Sequence, residues 1–146
     1  MNDLPIGSRK IVSGKWFRSL CIVIGLVLFS FFYMVIFNIN REASESFLSG
    51  SGRYRIECVD VLFLYFYSQY AYFRFTEVSK PVRVYRSRVV RDNIDLSSFE
   101  DSKQVGVVWL DFEKDTHRFT LGYPQWRESW INLFISNTPY TVQPNG

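Results

Sequence analysis

The chain has 146 residues, two cysteines, one histidine and a formal charge of +3. That length allows one small domain, and two cysteines exclude a disulfide framework. The net charge belongs to the first 40 residues, because residues 41–146 carry 13 basic and 13 acidic side chains. A neutral domain argues against nucleic-acid binding.

Residues 1–18 form a basic arm, with Arg9, Lys10, Lys15 and Arg18 against Asp3. Residues 19–38, SLCIVIGLVLFSFFYMVIFN, hold no charge, and thirteen of them are Leu, Ile, Val or Phe. Twenty helical residues span about 30 Å, the thickness of a hydrocarbon core. The run therefore reads as an uncleaved signal anchor, with the lipid bilayer as its partner. Arg41 is the single basic residue in the fourteen after Asn38, beside Glu42 and Glu45. This asymmetry predicts a cytoplasmic N-terminus and an extracytoplasmic C-terminal domain. The arrangement suits a bacterial inner membrane protein facing the periplasm.

Residues 39–53 are rich in Ser, Gly and Glu and predict a flexible linker. An α+β domain is expected over 54–137. Tyr54, Ile56 and Cys58 alternate with Arg55 and Glu57, the period of a half-buried strand. Eight of the thirteen residues from Phe63 to Phe75 are aromatic. Two strands are expected here, 54–67 and 70–79, with a buried helix as the alternative for 59–78. Residues 82–90 resume the alternation and 92–104 read as a polar loop. Residues 105–112 and 117–123 suggest a hairpin about Glu113–Thr116.

In PQWRESWINLFISN, Trp126, Trp130, Leu133 and Phe134 fall on one helical face. They predict an amphipathic C-terminal helix whose two tryptophans are buried on the sheet. Residues 138–146 should be an extended tail. The expected fold is a single N-terminal transmembrane helix followed by a small α+β domain, an antiparallel sheet of about five strands with one helix.

No nucleophile, phosphate-loop or zinc motif is present, and neither a cofactor nor a small-molecule substrate is evident. Asp111, Glu113 and Asp115 with His117 resemble the opening of a calcium loop, but Thr116 and Gly122 occupy the positions that need Gly and Glu. A solvated turn is the simpler reading. Cys58 with His117 as a nucleophilic pair meets a similar objection, since Cys58 lies on the apolar side of its strand.

Two features point to partners. Residues 53–91 carry a charge of +5 and residues 92–146 one of −4. The aromatic surplus exceeds what one covered sheet face would bury, and exposed aromatic patches mark protein contacts. The expected partner-binding residues are Tyr65, Tyr67, Tyr70 and Tyr72, with Arg83, Arg86 and Arg88 beside them. The expected function is a non-enzymatic, membrane-anchored protein-binding module, either an accessory subunit of an envelope complex or an immunity or inhibitor protein. A small hydrolase using Asp111, Glu113 or Asp115, and a surface module for anionic lipid, are the alternatives.

Overall fold

A computed structural model describes residues 14–62, 70–91, 95–124 and 126–143. The chain divides into two units, residues 1–34 and residues 35–146.

The first unit contains most of helix α1, Gly14–Asn40, the one helix among the described residues long and apolar enough to cross a membrane, with a mean hydropathy of 2.8 over its apolar window. From Gly14 to Met34 every side chain but that of Phe31 is exposed. A helix that is apolar all round and unburied has no aqueous face to offer.

The second unit holds the end of α1 and the domain. The last carbonyls of a helix lack intrahelical partners. Here the Tyr72 hydroxyl donates to Asn38 O at 2.9 Å, and Arg74 Nη1 to Ile39 O at 3.4 Å. Asn38 is buried, and its Oδ1 accepts from Leu62 N at 2.7 Å.

The expected flexible linker is not a linker. Residues 45–48 form strand β1 (Glu45–Leu48), antiparallel to β2 (Tyr54–Asp60). Ser44 N already donates to Cys58 O at 2.9 Å, and Phe47 packs on the core. The Ser/Gly-rich stretch between these strands is their turn, where Gly52 adopts φ +73°.

The fold class is as the sequence predicts: an apolar N-terminal helix, antiparallel sheet of five strands and a C-terminal helix. Among the described residues there are two such sheets rather than one. In the first, β1, β2, β3 (Tyr70–Glu77) and β4 (Val84–Arg86) lie in order, and β5 (Val90–Arg91) also pairs with β3. The second runs β6 (Ser98–Glu100), β7 (Gln104–Val107), β8 (Leu110–Glu113), β9 (Arg118–Leu121) and β10 (Tyr140–Val142). All its pairs are antiparallel except β9 with β10, so the expected extended tail is partly a sheet edge. Residues 98–100, expected in a loop, are strand.

The two inner faces meet in one core. Alternation sends Tyr54, Ile56 and Cys58 of β2 and Ala71, Phe73 and Phe75 of β3 against Val105, Val107, Leu110, Phe112, Phe119 and Leu121. Strands therefore occupy both described ends of 59–78, residues 59–60 and 70–77. The run 105–112 is two strands, because the chain turns at Val108–Trp109 between the paired Val107 and Leu110. Trp109 takes φ +70° there, a left-handed backbone that bulky residues rarely adopt. Nothing in the local sequence marks that turn.

The other face of the first sheet is covered as well. Val59, Val61, Tyr72 and Val89 pack with Ile131 and Ile135. The C-terminal helix α2 is one turn, Asn132–Ile135, and not the longer helix expected over 124–137. Its buried positions are Ile131, Asn132 and Ile135, whereas Trp130 is 59% and Leu133 79% exposed. Trp130 is thus not a core residue. Trp130→Ala is expected to change stability by less than about 0.5 kcal/mol. Ile135→Ala should cost about 2–5 kcal/mol, and chemical denaturation of both variants checks the contrast.

Candidate functional site

Of the expected tyrosines, Tyr65 and Tyr67 lie outside the described residues. Tyr72 is fully buried, held by Asn38 O, and burial raises its pKa against the opposing pull of Arg74 and Arg86. It is a structural residue, because the sheet face expected to be open is closed by Ile131 and Ile135. Tyr70, at the start of β3, is 44% exposed.

The basic stretch is largely satisfied inside the fold. β4 and β5 hug the same strand with one extra residue between them: two residues separate Ala71 from Arg74, but three separate Arg86 from Val90. This is the geometry of a bulge. Ser87 spans it, donating from its N to Phe73 O and accepting from Phe73 N on its Oγ, both at 2.9 Å. Asn132 Oδ1 accepts from Val89 N at 2.7 Å.

The bulge turns Arg86 and Arg88 toward the C-terminal segment. Arg86 Nε donates to Ile135 O at 2.7 Å, and burial lowers its pKa. Asn137 closes the β4 edge, accepting from Arg86 N and donating to Val84 O. Arg88 Nη1 lies 3.2 Å from Glu128 Oε1, and its guanidinium sits 4.1 Å from the centre of the Tyr140 ring. The Tyr140 hydroxyl donates to Glu128 Oε2 at 2.6 Å, which raises the tyrosine pKa. Of the three expected arginines, only Arg83 is exposed.

That cluster fixes Trp126. Its ring meets Tyr140 edge-on with centroids 5.7 Å apart, and its Nε1 donates to Val89 O at 3.2 Å. Beside it opens a cleft of about 520 Å³, lined by Tyr70, Val89, Val90, Arg91, Tyr123, Pro124, Trp126 and Arg127. Tyr70 and Arg91 are register partners across β3 and β5. Arg91 and Arg127 are exposed and have no ion-pair partner among the described residues. The described lining contains no carboxylate. Such a surface suits an anionic group flanked by flat apolar surface, because guanidinium offers paired donors and the rings offer stacking area.

Of this lining, the sequence names Tyr70 as a partner-binding residue on a sheet face and Arg91 only as the end of the basic stretch; Tyr123, Trp126 and Arg127 are not named for binding. The available signal was the adjacency of Trp126 and Arg127 and the end of the basic run at Arg91.

The acidic residues of the hairpin do not converge. Among the described residues no three His, Cys, Asp or Glu side chains are grouped as metal ligands. Glu113 accepts from Thr116 and Thr120. His117 stacks on Tyr85, with centroids 5.0 Å apart. Cys58 is buried in the core. Asp111 is half-buried, and desolvation raises its pKa with help from Asp101 and Glu113.

Comparison with protein-family models, curated proteins and solved structures finds no match to this chain.

Proposed function

We propose that the chain is a single-pass membrane protein whose domain is a binding module, and that the cleft at Tyr70, Arg91, Trp126 and Arg127 receives an acidic segment of a protein partner. The observation that carries this reading is the meeting of aromatic rings with two exposed arginines on a wall fixed by the Arg88–Glu128–Tyr140 cluster. Aromatic residues and arginine are the side chains that dominate interface energetics, and a preordered wall reduces the entropy lost on binding. The anchor is α1, through residues 19–38. Four basic residues before it and one soon after it support a cytoplasmic N-terminus and an extracytoplasmic domain. An accessory subunit of a bacterial envelope complex and an inhibitor of a toxin both fit this arrangement.

The test uses the full chain, extracted in detergent from native membranes at native expression. Arg91→Glu with Arg127→Glu changes two exposed side chains and should leave stability within about 0.5 kcal/mol per site. Recovery of the co-purifying protein should fall at least about tenfold, equivalent to about 1.4 kcal/mol. Unchanged recovery, or the absence of any stable partner with the wild-type chain, would overturn the proposal.

A further inference from the structure

We infer that α2 is a membrane-docking element: Trp130 and Leu133 enter the headgroup region of the bilayer leaflet nearest the domain. This rests on α1 spanning the membrane, and it concerns a surface distinct from the cleft.

Asn38 is the last residue of the uncharged run. If residues 19–38 fill the hydrocarbon core, Asn38 lies at its boundary, where a polar zone roughly 5–8 Å deep begins. Asn38 is also a buried residue of the domain unit, bonded to Leu62 N and to the Tyr72 hydroxyl. The ring that reaches Asn38 packs at the same time among Val59, Ile131 and Ile135. The α2 turn is therefore one tyrosine side chain away from the residue that marks the boundary. Between Asn40 and the first β1 residue lie only four residues, and two of these are already bonded to β2: Arg41 Nη1 donates to Asp60 O, and Ser44 N to Cys58 O. Little free chain therefore lies between the end of α1 and β1.

The exposed side chains on α2 suit that position. Trp130 and Leu133, three residues apart, project while Ile131 and Ile135 anchor the turn from below. Trp130 meets Phe134 edge-on with centroids 6.2 Å apart, which makes the projection aromatic and ordered. Tryptophan favours the headgroup zone because its ring is apolar and its N–H is polar. In water, Leu133 at 79% exposure would leave most of its apolar surface hydrated.

The test is nitroxide accessibility in the full chain reconstituted into vesicles of neutral and anionic phospholipid, with Cys21→Ser and the buried Cys58 retained. Labels are introduced through Leu133→Cys, Leu28→Cys and Ser102→Cys. The label at position 28 should be relaxed by oxygen and shielded from a water-soluble nickel complex, and that at 102 should show the reverse. The inference expects position 133 to fall between 28 and 102, with nickel accessibility several-fold below that at 102 and oxygen accessibility above it. If 133 matches 102 while 28 is lipid-exposed, α2 does not dock and the inference fails, although the anchor stands. If 28 is itself open to nickel, the anchor reading fails and takes this inference with it. Spin–spin broadening at 133, or shielding there from both relaxants, would assign the surface to a second copy and also overturn membrane docking.

Discussion

Phe112→Ala is expected to cost about 3–5 kcal/mol, a large share of the 5–15 kcal/mol that a domain of this kind commands. Phe112 is fully buried and sits where the two sheets meet. Its ring centroid lies 5.9 Å from that of Tyr54, 5.5 Å from Phe75, 4.9 Å from Tyr85 and 5.0 Å from Phe119. Removing it deletes one partner from each of four aromatic pairs and leaves a cavity bounded by both sheets. Urea denaturation of the full chain in detergent, followed by aromatic circular dichroism, measures the loss. A cost below about 1 kcal/mol would mean that the sheets do not pack through this ring.

The second large effect is electrostatic. Glu100 on β6 and Lys114 after β8 form a salt bridge at 2.8 Å, with side chains only 8% and 11% exposed. Desolvation alone would raise the Glu100 pKa. It is outweighed by hydrogen bonds from Lys114, from Ser51 through both N and Oγ, and from Ser49, which together bring the value down to about 2. The folded-state pKa is thus below the unfolded one. The resulting stability is present in full above the unfolded value near 4.5 and is lost as pH falls toward about 2. Glu100→Gln leaves the Lys114 ammonium buried beside a neutral amide and should cost about 3–5 kcal/mol at pH 7. Its stability should approach that of the wild type between pH 4.5 and 2. Glu100→Gln combined with Lys114→Met should recover much of the loss, because the uncompensated charge is gone. A pH-independent difference between Glu100→Gln and wild type would refute this account.

These two predictions rest on parts of the fold that were unequally legible in the sequence. The alternation Tyr54, Ile56, Cys58 revealed the inner face of β2, because a strand with one core-facing side repeats with period two. The apolar run 19–38 showed itself through composition alone. Residues 39–53 misled for a physical reason. Ser and Gly report a preference for turns and solvent, but β1 is held by backbone bonds to β2 and by one half-buried side chain, Phe47, that packs on the core, and these are invisible to composition. The phase of α2 misled differently. Trp126, Trp130, Leu133 and Phe134 make the stronger apolar stripe, yet Ile131 and Ile135 are buried because Asn132 between them serves the bulge at Val89. Tertiary hydrogen bonding chose the face. The candidate cleft was not legible as a cleft, although Tyr70 in its lining was named for a sheet face. Its other determinants, Arg91 and Trp126–Arg127, come from segments 35 residues apart, brought together by the bond from Trp126 to Val89.

The most direct test of the binding-module reading is site-specific photocrosslinking in intact cells, with a photoreactive residue at Arg127 and a control at Lys103, exposed at the end of the loop before β7. The cleft reading predicts a discrete higher-mass adduct from position 127 that disappears with Tyr70→Ala and is absent from position 103. No adduct at 127, or equal adducts at both positions, would contradict it.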